Sequence, residues 1–360
     1  MKKIIFIVIP ITICFIFTSC STQLSDYMII KGIGIDYTDD NYVLTVRYVD
    51  TSDETSEKNY TVIGETVYSA LTNLSLTSGK IPLYSSADYL IFNEEVSENG
   101  LDEALDFFVR YFKAKSNISM YVCENSASDI LEFEKDEKLI SSDYLLESTQ
   151  NKDNLGKTVN TTVLDYISYM ENESHSCVVP YLFIEDDEIF ATKSAVFSNY
   201  KLKLIFTQEE TQSYLMSKSL LCGTSEVVAL MGEEKVTLEI AETQSSFSGE
   251  FTDNGLKFDL CVKIELAIVS MPITLNSVDY TELEEILEEK LTLQIKEMLN
   301  IDNLLLADFF GIGNYLYRNF WNDWQNNGES WSQFANDDMI NVEVQVSFIK
   351  TGEEDNPFYS

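Results

Sequence analysis

Phe258-Asp259-Leu260-Cys261-Val262-Lys263-Ile264-Glu265-Leu266-Ala267-Ile268 is the stretch that decides the fold class. Phe258, Leu260, Val262, Ile264, Leu266 and Ile268 stand at every second place, with Asp259, Lys263 and Glu265 among the residues between them. Successive side chains on a strand point to opposite faces, so this rhythm describes a strand with one buried and one wet face. Val236, Leu238 and Ile240 repeat it, as do Val342, Val344, Val346 and Phe348. Three such strands predict one antiparallel sheet. Between the second and third, Leu283, Ile286, Leu287, Leu291, Ile295 and Met298 recur at helical spacing and predict a long helix over about 281–299, with a Glu-rich solvated outer face. Residues 235–360 are therefore expected to form a C-terminal α+β domain, an antiparallel sheet covered by long helices.

Upstream the elements alternate. Strands are expected over 28–36 and 42–49, joined by the turn Tyr37-Thr38-Asp39-Asp40-Asn41, with Tyr42, Leu44, Val46 and Tyr48 on one face and Thr45 and Arg47 on the other. Polar residues 50–59 read as a loop. A helix from about Thr66 carries Val67, Ala70, Leu71 and Leu74 on one face, a strand follows over 87–92, a second helix buries Leu101, Leu105, Phe108 and Phe112, and another strand covers 117–122. Residues 126–171 read as mainly helical, opened by Ser126 and Asp129, with Val163, Leu164, Ile167 and Met170 as an apolar stripe. Strands at 176–184 and 188–197 flank an acidic turn. This places a mixed α/β domain at 20–197. Residues 198–234 read as a connecting helix and loop, the helix opened by Thr207 and Glu210 in a capping box and the Gly-containing stretch 221–234 as loop.

The first residues form a leader. Lys2 and Lys3 precede Ile4 to Phe17, a run without charge that as a helix would be roughly 21 Å long, short of the ~30 Å hydrocarbon core. Phe17-Thr18-Ser19-Cys20 then sets small residues ahead of a cysteine. Residues 1–19 are expected to be a signal peptide, and Cys20 the site where a diacylglyceryl group is attached. Two acyl chains hold a protein stably, each buried methylene contributing ~0.8 kcal/mol, so no polybasic patch is required.

The charge fits that expectation. The chain holds 24 basic and 60 acidic residues, a net −36, and loss of Lys2 and Lys3 with the leader takes it to −38. Such a surface repels nucleic acid, which excludes that class of partner. A content of 45% hydrophobic and 12% aromatic residues places the chain among folded proteins despite its charge.

Catalytic and metal-binding patterns do not assemble. The one histidine, His175, lies near Cys177, a lone His-x-Cys that is more often structural than a ligand. A serine hydrolase would have to use it, and no GxSxG elbow accompanies it. Glu185-Asp186-Asp187-Glu188 lacks the alternating ligands and central glycine of a calcium loop. Lys31-Gly32-Ile33-Gly34 and Asp308-Phe309-Phe310-Gly311-Ile312-Gly313 each lack the third glycine of a dinucleotide loop. Cys14 leaves with the leader; Cys123, Cys177, Cys222 and Cys261 are widely spaced, form no CxxC pair and leave one or two disulfides open. No enzyme, metal or cofactor is expected, and no ligand-binding residue is assigned.

Several segments together resemble the Ger(x)C family, the lipoprotein C subunits of nutrient germinant receptors in spore formers. Lys31-Gly32-Ile33-Gly34-Ile35-Asp36 is similar to that family's opening GIGID strand, and Gly64-Glu65-Thr66-Val67-Tyr68-Ser69-Ala70-Leu71 to its G-x-T helix start. Leu105-Asp106-Phe107-Phe108-Val109-Arg110 resembles its LDFxxR helix. Ala195-Val196-Phe197, Lys201-Leu202 and Glu209-Glu210-Thr211 resemble a later strand-to-helix passage. Asp308 to Gly313, Arg318, Trp324, Trp331 and Phe334 resemble its tail. The resemblance implies a non-enzymatic receptor subunit, lipidated at Cys20, on the outer face of the cell or inner spore membrane. Its implied partners are an integral membrane A subunit and a transporter-like B subunit. A free-standing solute-binding lipoprotein is the alternative, and it would need a deep cleft.

Overall fold

The computed structural model describes residues 24–50, 56–110, 117–135, 138–150, 157–252, 255–271, 280–305, 307–327 and 340–349. The chain enters through a hairpin, β1 (Tyr27–Thr38) and β2 (Asn41–Asp50), closed by Asp39 and Asp40 at φ 51° and 59°. Two positive φ values are what a tight hairpin turn requires, and aspartate tolerates them better than most residues. β3 (Ser56–Gly64) then pairs with β2 along its whole length. Of the stretch expected as a loop, Asp50 closes β2, residues 51–55 lie outside the described residues, and 56–59 belong to this edge strand. Its polar Ser-Glu-Lys-Asn run reflects an edge that keeps water on one side.

Helix α1 (Val67–Ser78) starts where the spacing predicts. Thr66 and Ser69 form the capping box, and Val67, Ala70, Leu71 and Leu74 are buried. β4 (Ile81–Leu83), β5 (Tyr89–Asn93), α2 (Glu94–Asn99), α3 (Asp102–Arg110) and β6 (Ser119–Cys123) follow. Next come α4 (Ala127–Glu132), a small ribbon of β7 (Glu134–Lys135) and β8 (Lys138–Leu139), α5 (Ser142–Gln150) and α6 (Val163–Met170). The expected helical stretch thus also holds a β-ribbon. β9 (Ser176–Glu185), β10 (Glu188–Ser198) and β11 (Lys201–Phe206) complete, among the described residues, a nine-stranded sheet in the order β11-β10-β9-β6-β5-β1-β2-β3, with β4 beside β1.

β1, β5, β6 and β9 run parallel, and helices link β5 to β6 and β6 to β9. Helices cover both faces, so the central strands are buried on both. Leu90 and Phe92 of β5 face α1, α3 and α6, while Tyr89 and Ile91 face α4 and α5. The same layering buries both faces of β2, Thr45 and Arg47 included. Arg47 is 1% exposed. Its guanidinium donates to the carbonyls of Leu131 and Ile140 and, at 2.7 Å, to Asn59 Oδ1, with Glu57 at 3.4 Å. A buried cation is tolerated only when its donors are matched in this way.

The second half is built on the stripe from Phe258. α7 (Gln208–Ser217) opens with the capping box of Thr207 and Glu210. β12 (Cys222–Met231), β13 (Glu234–Thr252), β14 (Gly255–Ser270) and, after the long helix α8 (Tyr280–Leu305), β15 (Ile340–Phe348) form a second sheet in sequence order. Phe258, Leu260, Val262, Ile264 and Leu266 pack under Leu283, Leu287, Leu291, Ile295 and Met298 of α8. Each such side chain contributes ~1.5–3 kcal/mol by leaving water.

Two expectations need correction here. The stretch 198–234 holds strands β11 and β12 besides its helix, and the presumed loop 221–234 is mostly β12. Gly223, Thr224 and a register shift between Cys222 and Ser225 break its alternation. The sheet is also not wholly antiparallel: β15 pairs parallel to β14, because the chain returns through α8 as a crossover. Val159, Val178 and Val196 from the first half pack into the same core as the second sheet, which joins the two halves.

Candidate functional site

Cys20, the expected lipidation residue, lies outside the described residues, as do Trp331 and Phe334. The described chain begins at Leu24, in a single 3-10 turn, Leu24–Asp26, that leads directly into β1.

The remaining family-like segments serve mostly to build the frame. Gly32 lies against the Tyr89 ring, and a Cβ there would sit 2.0 Å from a ring carbon, so only glycine lets β1 and Tyr89 approach. Asp36, at the end of that segment, is buried and accepts from the Ala127 and Ser128 amides at 2.7 and 3.1 Å and from the Ser126 hydroxyl at 3.0 Å. Burial pushes its pKa up while those donors hold it back, and the carboxylate ties β1 to the start of α4. Leu105 and Phe108 of α3 are core, and Asp106 and Arg110 pair on its exposed side. Val196 and Phe197 are fully buried near the end of β10.

The tail segment does more, because it lies where the two halves meet. After α8, Asp308 turns the chain at φ 45° and Gly311 at φ 72°, leading into α9 (Ile312–Asn319). The Gly311 amide bonds the Asp308 carbonyl at 2.9 Å, and the Gly313 amide donates to Asp308 Oδ2 at 3.0 Å. Asp308 is 2% exposed. Its other oxygen and the buried Ser174 hydroxyl come within reach of each other without a well-formed hydrogen bond. Burial raises the Asp308 pKa to about 6, against the pull of Ser174, the Gly313 amide and the Lys218 charge. Lys218, just past α7, donates to the Phe310 carbonyl at 2.6 Å. It also lies within 6 Å of the ring centres of Tyr214, Phe247 and Phe310. Phe309 packs edge-on against Phe206 of β11 with centroids 5.0 Å apart.

A cavity of about 640 Å³ opens beside this joint, lined among others by Asp308, Ser174, Lys218, Tyr169, Asn172 and Arg318. Neither Lys218 nor Ser174 was singled out in the sequence; a cation one residue past a capped helix carries no pattern that would mark it. The single histidine, His175, is not among the residues that line the cavity. Asp308 faces Ser174 directly, and His175 turns outward and donates Nδ1–H to the Met170 carbonyl at 2.8 Å, so no acid–imidazole–hydroxyl relay forms. Cys123, Cys177 and Cys261 are free thiols, and burial raises the pKa of the first two. Among the described residues no group of three or more His, Cys, Asp or Glu is placed to hold a metal. Trp324, in α10 (Trp321–Asn327), is half-buried against the second core, beside Tyr317.

Comparison with known proteins agrees with this layout. A family model described as spore germination protein N-terminal domain matches residues 21–184. A second, described as spore germination B3/GerAC like, C-terminal, matches residues 192–352. The spore germination protein KC of Bacillus subtilis (strain 168) is 22% identical, covering 93% of this chain and 92% of that protein. The crystal structure of the GerBC protein shares the fold, with a TM-score of 0.59 at 17% identity over 91% of this chain and 98% of that one. Two family models that together run from residue 21 to residue 352 leave one assignment: the chain belongs to the Ger(x)C family of spore germination proteins.

Proposed function

We propose that this protein is the lipid-anchored, non-enzymatic C subunit of a nutrient germinant receptor required for spore germination. A diacylglyceryl group on Cys20 holds it on the outer face of the cell or inner spore membrane, beside integral membrane A and B subunits. The observation that carries this reading is the position of the family match, which starts at residue 21, immediately after Cys20. Among the described residues no helix is long and apolar enough to cross a bilayer, so on this reading the membrane is held by the acyl chains. Confinement to a plane raises the effective concentration of the folded body for its partners. Detergent-phase partitioning of Cys20→Ala tests this: the variant should move to the aqueous phase and weaken receptor function. Partitioning like the wild type counts against it.

The cavity at the joint favours a second reading, a free-standing solute-binding lipoprotein. That reading requires a thermal shift with amino acids or sugars, by ligand linkage.

A further inference from the structure

The two ends of the first sheet differ in charge. The carboxyl ends of the parallel strands lie together, and there Asp39 and Asp40, Glu94 and Glu95, Glu124, and Asp186 and Asp187 crowd the turns and helix starts. The amino end of β1 is different. Tyr27, Met28 and Ile29 pair there with Ile81, Pro82 and Leu83 of β4. Ile81 is 48% exposed, and Leu76, in the last turn of α1, is 75% exposed. Two cations stand at the same end: Lys58 and Lys80 both reach the Asp50 carboxylate that closes β2, at 2.9 and 3.7 Å, and Lys80 lies over the Tyr48 ring. Exposed Ile63, by contrast, pairs with Val43 near the Asp39–Asp40 turn and belongs to the acidic end.

The tether decides which end meets the membrane. From Cys20 to Leu24 the extended chain spans at most about 14 Å. A folded body of this length has a radius of gyration of about 20 Å, so one end must stay close to the anchoring surface. That end is the start of β1. A negative leaflet repels the carboxyl ends of the strands and leaves facing it the end where Lys31, Lys58 and Lys80 pair with Asp88 and Asp50.

We propose that the amino end of β1 and β4, with Leu76 and Ile81 at its tip, is the face this protein lays on the headgroup region of the bilayer, its acidic end pointing away. Leucine and isoleucine enter the interface, while tyrosine and the lysine stems bridge apolar and wet layers. This rests on the anchor at Cys20 put forward above. The experiment attaches a nitroxide at L76C, or at D40C on the acidic end, in the full acylated chain with Cys222 and Cys261 changed to alanine. The labelled protein is placed on phosphatidylcholine–phosphatidylglycerol vesicles. At L76C, collisions with a water-soluble nickel chelate should fall roughly threefold or more relative to the same label on the soluble Cys20→Ala protein, as burial at the headgroup boundary requires, and at D40C they should not change. Unchanged access at L76C in protein that sediments with the vesicles overturns the proposal. If the protein does not sediment, the anchor has failed instead. Coupling the same chain through Cys20 to a maleimide lipid then restores the tether, and unchanged access at L76C overturns the proposal there too.

Discussion

Replacing Asp308 with asparagine removes a charge that the fold holds against its preference. The carboxyl moves from an ordinary 3.8 to about 6 in the folded protein, chiefly because it is buried. At 1.36 kcal/mol per pKa unit, that is roughly 3 kcal/mol between its two protonation states. The folded state binds the proton more tightly than the unfolded one, so above pH 6 the ionised group lowers stability by the full amount. As pH falls from about 6 to about 4 the native group takes up its proton and the penalty disappears. The asparagine variant carries no such dependence, though its amide can still accept from the Gly313 amide. Its constant offset reflects whatever else the substitution changes; the pH-dependent part isolates the charge. Urea unfolding followed by fluorescence of Trp321 and Trp324, which sit in α10 beside the joint, gives the comparison. The variant's stability relative to wild type should be about 2–3 kcal/mol higher near pH 7.5 than near pH 4, the other carboxylates cancelling between the two proteins. A difference that stays flat over that range would falsify the buried, elevated Asp308.

Three further outcomes follow from the packing. Gly32→Ala places a methyl group 2.0 Å from the Tyr89 ring and should lower stability by ~1–3 kcal/mol or more, with Tyr89→Val recovering part of the loss in a thermal melt. Leu260→Ala empties a site under α8 and should cost ~2–5 kcal/mol by denaturant titration; a change near zero means that β14 is not the floor of that core. Arg47→Ala strands the Ile140 carbonyl without its donor and takes one donor each from the Leu131 carbonyl, which keeps the Asn59 amide at 2.8 Å, and from the half-buried Asn59 Oδ1. It should cost ~3–5 kcal/mol, far more than loss of an exposed ion pair such as Asp106–Arg110, when the two variants are melted side by side.

What the sequence made legible is what short-range periodicity encodes. The stripe from Phe258 to Leu266, the α8 stripe and the Thr66 and Thr207 helix starts can all be read locally, because burial against one face forces the spacing. The missed elements depended on neighbours far along the chain. β3 is polar because it is an edge; nothing in Ser56 to Asn59 announces that β2 will pair with it. Arg47 occupies a solvent-like place in the alternation of β2, and only α4 and the segment before α5, more than eighty residues on, bury it. The parallel sense of β15 is set by the crossover through α8, which strand patterning does not contain. At the joint, Asp308 and Gly311 were visible as part of a motif, but Ser174 and Lys218 were not, since they meet only when the halves pack.

The anchor carries the rest of the account, and the mass of the mature amino-terminal peptide tests it most directly. Protein extracted from membranes and cleaved should yield a peptide that begins at position 20 and carries a diacylglyceryl group on its cysteine. A peptide beginning at Met1, or one with an unmodified thiol at that position, would contradict it.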